Sequence, residues 1–464
     1  MKIKNQEAIC GHGDTDSRRI VVDVTERTLE KLDSFTRISE LCSYQEGILT
    51  IGKRSWDLNQ KHHIYLVGAG KAANHMARAV ASVLGDRLTA GIVIVKILEE
   101  EDRRYPKVRF VEGGHPIPNA AGMKASQEIL DMVDNSGSED LFIGVISGGS
   151  SALMSLPITG ITLEEEQAAT DVLLKSGAGI YEINAVRRHI SQMNGGRLAQ
   201  RIQDVGAEFI GFGISDAVGK PPTKDIGIPD PHYTSTPIGP DATTLEDARG
   251  CITNHRLEDK LPKSVVDFIF SADERYETPK EFPDNTYFLV NTLPDGAAAA
   301  LEAATDLGIP ATILTTFLEG EARDAGRFMA ALAREVQTYG NPFTTPRLFI
   351  SSGEVTTKIG SADRIEGHGG PGQEMVTGFA LASSGCALGA VLLSIDSEGT
   401  DGTADVAGGI TDSQTSAAAS RAGISLYEAL DSHSCYEALS MLSDTVITGN
   451  TGTNLCDLNI LYVP

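Results

Sequence analysis

The sequence predicts an α/β protein of two domains, each built on a sheet with helices packed against it. Three observations carry this expectation. Short apolar runs alternate with amphipathic helical spacing along most of the chain, the pattern of strands joined by crossover helices. Glycine is abundant, 48 of 464 residues, and much of it falls at the ends of the apolar runs. The alternation lapses over residues 219–285, which are rich in proline and aspartate, and resumes near 286. That lapse sets the expected domains at 1–285 and 286–464.

Taken in order, residues 17–43 have the spacing of an amphipathic helix. HHIYLVGAGK then predicts a buried strand, a tight turn through Gly68 and Gly70, and a helix from Ala72 onward with apolar residues at Met76, Ala79, Val80, Val83 and Leu84. TAGIVIVK (89–96) is a continuous apolar strand. VRFVEGGHPIP (108–118) is another, ending in a Gly-Gly-His-Pro loop around His115. A helix follows in AGMKASQEILDMV. DLFIGVISGGSSALMSLP (140–157) reads as strand, glycine loop and a short helical turn stopped by Pro157. LEEEQAATDVLLKSG and INAVRRHISQMNGGRLAQRI are helical. GAEFIGFGISDAVG (206–219) is a strand ending at Ser215 and Asp216. Residues 219–285 are expected to hold a loop and a domain crossing. Beyond them TYFLVN, AAAALEAATDLG, ATILTT, a helix near 320–337, PRLFISSGEVTTKI, EMVTGFALASSG and AVLLSIDSEGTDG restore the α/β pattern.

Composition narrows the function. The net charge is −24 and the pI about 4.8. There is no Lys/Arg-rich run with interleaved aromatics, so a nucleic-acid partner is disfavoured. No apolar run approaches membrane-spanning length, and MKIKNQEAICGHGD lacks a signal-peptide core. Six cysteines are scattered without a CxxC or zinc spacing. These features predict a soluble cytoplasmic protein with reduced thiols.

Candidate chemistry lies at the carboxyl ends of the strands, where parallel α/β sheets collect their functional loops. Lys71 is placed at the start of a helix, the end that carries partial positive charge, which calls for an anion opposite it. G-A-G-K-A-A also fits a relaxed dinucleotide fingerprint, but the next strand ends in Lys96, with an acid only at Glu99. It is not a Walker A loop, because Ala72 follows the lysine. ISGGSSAL (146–153) offers backbone N–H groups and the hydroxyls of Ser150 and Ser151 to a carboxylate or phosphate, or uses those serines as plain helix caps. In NAVRRHIS, Arg187 has the fork to hold a carboxylate, while Arg188 and His189 read as a solvated helix face. Asp216 is placed to hold Mg²⁺, to act as a general base, or to cap a turn. Further polar groups at strand ends are Glu354, the acids of SIDSEGTDGTADVAGGITD (394–412), and the loops GHGGPGQE (367–374) and ITGNTGTN (447–454).

Together these stretches resemble the glycerate 2-kinase family of the MOFRL type. VGAGKAA, GGHPIPN, ISGGSSALMSLP, NAVRRHISQMNGGRLA, ISDAVG, SGEVTTKI, GHGGPGQE, GTDGTADVAGGITD and TGNTGTNLCDL run in family order from about residue 60 to the C-terminus. The resemblance implies a Rossmann-like N-terminal domain, a smaller α/β C-terminal domain and an active site in the cleft between them. It implies an ATP- and Mg²⁺-dependent kinase acting on the 2-hydroxyl of D-glycerate, with Lys71 on the catalytic lysine and Asp216 beside it in the chemistry. The substrate and nucleotide groups would be Gly68, Gly70, Ser147, Gly148, Gly149, Ser150, Ser151, Arg187, Glu354, Gln373, Glu374 and Asn454. The metal would fall to Asp216, Asp396 and Asp401. Where the family commonly reads GGRNQE, this chain has Gly369-Gly370-Pro371-Gly372-Gln373-Glu374. His368 or Arg364 would then stand in for the missing arginine. The family's Gly-Asp and Ser-Gly-Pro-Thr run after Asp216 is replaced by Gly219-Lys220 and PPTKDIGIPDPHYTSTPIGPD, so a related hydroxy acid is an alternative substrate. The rival of another class is an NAD(P)-dependent hydroxypyruvate reductase. The oligomeric state is left open.

Overall fold

A computed structural model describes residues 1–218, 237–282, 286–359, 367–384 and 389–464. The chain divides into two compact units. One holds Ser34–Ser215 and the described residues from 237 to Val290; the other holds Met1–Asp33, the short stretch from Asp216, and Asn291–Pro464.

In the first unit, β1 (Cys42–Gln45), β2 (Ile48–Ile51) and β3 (Arg54–Asp57) form a small antiparallel sheet. The main sheet comprises β4 (Ile64–Gly70), β5 (Ala90–Val95), β6 (Val108–Glu112), β7 (Leu141–Ile146), β8 (Glu208–Ile214) and β9 (Thr286–Asn291), in the order β6-β5-β4-β7-β8-β9. The pairings from β6 through β8 are parallel. Counted within this sheet the order is 3-2-1-4-5-6, the doubly wound arrangement in which direction reverses between the first and fourth strands. β4 and β7 flank that reversal. Their residues are apolar and mostly buried along both runs, as expected of strands covered on two faces. Val67, Ala69, Phe142 and Ile146 belong to one core with Ile129, Leu153 and Leu198 from the covering helices.

The second unit has a mixed sheet. β10 (Ala311–Glu321), β11 (Arg347–Thr356), β12 (Val391–Asp396), β13 (Gly408–Asp412), β14 (Thr445–Val446) and β15 (Asp457–Val463) lie in the order β10-β11-β15-β12-β13-β14. Only β10 and β11 pair in parallel; the other pairings are antiparallel. The helix Thr15–Leu32 buries Val21, Val22, Val24 and Leu29 in the same core as Ala297, Ala300, Ile350 and Ile460. Its Arg18, wholly buried, is bonded to Asp412 at 2.7 Å and Asp444 at 2.6 Å.

Several expectations shift. A division at 285/286 differs in two places, because β9 completes the first sheet and the first 33 residues pack with the second unit. The helix expected over 17–43 breaks at Asp33 into Thr15–Leu32 and Ser34–Leu41. Within the stretch expected to be loop, Leu245–Asn254 and Lys263–Ser271 are helices that bury Leu245, Ile252, Val265 and Ile269. Gly68 and Gly70 are not a turn. They are the last residues of β4, paired in register with Val93 and Val95 of β5. Among the described residues no helix is long and apolar enough to cross a membrane.

Candidate functional site

The candidate residues fall into two sets, one in each unit. In the first, the loops after β4 and β7 lock onto each other at the reversal point of the sheet. The Lys71 amide donates to the Gly148 carbonyl at 3.0 Å, the Ser147 amide to Ala69 at 3.2 Å, and the Ala72 amide to Ser147 Oγ at 3.0 Å. Ala72 is the N-cap of the helix Ala73–Leu84 and has no side-chain acceptor of its own, so Ser147 supplies the cap from the neighbouring loop. Gly70, at φ +145°, sits where a Cβ would come within 2.1 Å of that hydroxyl. Ser147 is buried and supports the helix start, and Gly70 is glycine because of it.

Lys71, Gly148, Gly149 and Ser151 remain partly open to solvent, while Ser150 is buried. Gly149, at φ +83°, has its α-carbon covered by two side chains. A Cβ there would meet His115 Cδ2 at 2.9 Å, His115 Nε2 at 3.1 Å and Lys71 Cγ at 3.2 Å. The Ser151 carbonyl accepts from Asn194 Nδ2 at 3.2 Å. Asn194, in the NGG motif, is buried, and its Oδ1 has no hydrogen-bond partner among the described residues. Its position in the chain gave no sign that it would brace the serine loop.

The NAVRRHIS run is not a solvated face. His189 is wholly buried, with Nε2 against Glu277 at 2.7 Å and Nδ1 against the Ala185 carbonyl at 2.7 Å. Arg188 is paired with the buried Asp241 at 2.6 Å. Arg187 is half-buried. Burial pulls its guanidinium below the usual arginine range, against the attraction of the buried Glu166 carboxylate. It keeps the candidate role of carboxylate fork.

The second set lies at the strand ends of the mixed sheet. Asp396 ends β12 opposite Asp457, which also faces Gly353, the neighbour of Glu354, across β11. Glu354 is exposed and Asp396 and Asp216 half-buried. Cys456 Sγ lies 3.3 Å from the Asp216 carbonyl. Burial raises this thiol's pKa, and the charges of Asp216, Glu354, Asp396 and Asp457 raise it further. Strand pairing sets Asp457 opposite Asp396, and Cys456 joins the Asp216 backbone to the same region. Asp457 lies within TGNTGTNLCDL but is not singled out by the sequence, because it follows the glycine loop.

Most other members of this set are buried or held by the protein itself. Asp401 is buried, and its carboxylate accepts from the Gly372 amide at 3.1 Å, the Gln373 amide at 2.9 Å and Gln373 Nε2 at 3.0 Å. It caps the helix Pro371–Ser383, so its oxygens are engaged and hidden from a cation. Burial outweighs those bonds and pushes its pKa up to about 6. Gln373 and Glu374 belong to the first turn of that helix and point inward. Gln373 is wholly buried, and Glu374 is bonded to His433 Nδ1 at 2.7 Å. Pro371 stands at the first helical position, where its ring and missing N–H are tolerated. His368 is tied to Glu437 at 2.9 Å; Arg364 and residues 219–236 lie outside the described residues. Asn454 is buried, and its Oδ1 has no hydrogen-bond partner among the described residues.

Among the described residues no group of three His, Cys, Asp or Glu side chains is preassembled to hold a metal ion. Mg²⁺ does not require one, since it favours one or two carboxylates completed by phosphate oxygens and water. The half-buried Asp216 and Asp396 suit that coordination; Asp401 does not.

Comparison with known proteins agrees with this architecture. Residues 20–269 match a family described as a domain of unknown function, DUF4147, and residues 347–457 match the MOFRL family. The chain is 34% identical over 451 residues to the glycerate 2-kinase of Pyrococcus horikoshii, covering 97% of this chain and 98% of that one. It is 36% identical over 397 residues to the D-glycerate 2-kinase of Thermotoga maritima, covering 86% and 90%. An Agrobacterium vitis relative named "Putative hydroxypyruvate reductase" is 34% identical over 400 residues, covering 86% of this chain and 98% of that one. The crystal structure of the Thermotoga maritima glycerate kinase superposes with a TM-score of 0.76 at 32% identity, over 96% of this chain and 99% of that one. Matched by both family models and along nearly its whole length, the chain belongs to the MOFRL-type glycerate kinase family.

Proposed function

We infer that this protein is a glycerate 2-kinase that transfers the γ-phosphoryl group of ATP to the 2-hydroxyl of D-glycerate, or of a closely related small hydroxy acid, giving the 2-phosphate and ADP. The observation that carries this reading is the placement of Lys71. It stands after β4 at the reversal point of the sheet, pinned through its own amide to the Gly148 carbonyl and partly open to solvent. Ligands of doubly wound sheets bind at that point.

In this reading the 2-hydroxyl oxygen attacks the γ-phosphorus, the bond to the ADP oxygen breaks, and the hydroxyl proton leaves to a base. The Lys71 ammonium stabilises charge on the phosphoryl oxygens as the bond breaks. Arg187 binds the acid's carboxylate. Asp216 is the candidate for either carboxylate task, taking the proton or, with Asp396, holding Mg²⁺. When bound, Mg²⁺ neutralises phosphate charge.

The reductase reading needs an open acid after β5 to bind a nucleotide ribose. Glu99 is that acid, and it is already held by Arg78 at 2.8 Å and His75 at 3.4 Å. The deciding experiment measures ADP release over a panel of small hydroxy acids. Beside it, NADH and NADPH oxidation is followed with hydroxypyruvate. Kinase turnover with D-glycerate and no hydride transfer is expected. Hydride transfer without ADP release would replace the kinase by the reductase.

A further inference from the structure

We propose that His115 contacts the substrate anion beside Lys71, donating an imidazole N–H to a carboxylate or phosphate oxygen bound there. The proposal rests on the kinase reading for its substrates, but its geometric basis is separate. The Gly-Gly-His-Pro loop follows β6, which is not a neighbour of β4 or β7 in the sheet. It nonetheless reaches the β7 loop, bringing the imidazole within van der Waals range of the same point above Gly149 that the Lys71 stem approaches. A Cβ on Gly149 would approach His115 Nε2 at 3.1 Å and Lys71 Cγ at 3.2 Å, so the imidazole edge and the lysine stem lie side by side over this glycine.

The loop is held rather than merely near. The Pro118 carbonyl accepts from Gln167 Nε2 at 2.6 Å, and Asn119 caps the next helix by accepting from the Gly122 amide at 2.9 Å. A donor beside a lysine, on a rigid loop, is suited to fixing the orientation of a bound oxyanion.

Two variants test this, His115→Ala and His115→Gln, the second retaining an N–H donor. Thermal shifts are measured with D-glycerate alone and with ATP alone, which needs no turnover; kcat and KM for each follow. The expected result is a wild-type shift with one of the two ligands, lost in His115→Ala and retained in His115→Gln. The KM for that same ligand rises tenfold or more in His115→Ala, the KM for the other ligand is unchanged, and the unliganded melting temperature holds. The ligand affected identifies the anion as carboxylate or phosphate. A His115→Ala protein with wild-type ligand shifts overturns the proposal, as does a loss that His115→Gln shares. If ligand shifts behave as expected but no hydroxy acid yields ADP, the kinase reading fails and the anion contact stands.

Discussion

Ser147 Oγ accepts a hydrogen bond from the Ala72 amide at 3.0 Å, so the loop after β7 caps the helix that follows β4. Lys71 immediately precedes Ala72 in the chain, and its own amide is bound to the Gly148 carbonyl. Ser147→Ala should therefore do two things. It should lower stability by about 0.5–2 kcal/mol, the usual range for losing an N-cap acceptor, and it should lower kcat by loosening the lysine's support. Thr162→Ala is the control. Thr162 caps the helix Leu163–Lys175 through the Glu165 amide at 3.2 Å. It should reduce the melting temperature without changing kcat. Equal kinetic effects in both variants would show that stability alone is being read.

Lys71→Ala should remove most of kcat and leave the fold intact. A fixed ammonium stabilises the phosphoryl group more as the bond to ADP breaks than before, and loss of one such donor costs roughly 10²–10³ in rate. The melting temperature should hold, because Lys71 precedes the helix Ala73–Leu84 and is partly exposed. Single-turnover phosphorylation beside a melting curve measures both. A large drop in melting temperature would make the lysine structural.

The two aspartates Asp216 and Asp401 should separate. Asp216→Asn is expected to raise the Mg²⁺ requirement or abolish turnover at unchanged stability. Asp401→Asn removes half of a buried acceptor from the Gly372 and Gln373 amides, which should cost about 1–3 kcal/mol. Its Mg²⁺ dependence should match wild type. A shifted Mg²⁺ titration in Asp401→Asn would return that residue to the metal.

What the sequence made legible follows from what kind of signal each feature leaves. The alternation of strand and helix is periodic, so β4, β5, β7 and β8 were readable, as was Lys71 after β4. Sheet assignment is not periodic. Nothing local tells that TYFLVN completes the first sheet or that Val21 and Leu29 pack with Ala300. The same limit applies to polar residues. A run such as Gln373-Glu374 looks like a binding loop until Pro371 is seen to start a helix that turns both side chains inward. His189 looked solvated because its partner Glu277 is distant in sequence.

That pair gives the last prediction. Glu277 accepts from His189 at 2.7 Å, Lys280 at 2.9 Å, and the Leu245 and Thr278 amides at 3.0 Å each. Burial alone would raise its pKa, but these donors outweigh it and hold the carboxyl at about 2, against 4.5 for an unperturbed glutamate. A carboxyl depressed on folding is protonated in the unfolded chain before it is protonated in the folded one. Between those two values the unfolded state binds more protons, so stability rises with pH across that window. The contribution is therefore complete above about pH 5 and is lost as pH falls toward 2. Glu277→Gln lacks the titration and should melt lower than wild type at neutral pH. The gap between the two melting temperatures should be flat above about pH 5 and narrow steadily below it. Taking the difference removes the acid sensitivity that both proteins share through Asp412, whose burial is outweighed by the Arg18 charge that holds it below the ordinary range. A gap that stays constant or widens on acidification would mean that Glu277 is not the depressed carboxylate its partners make it.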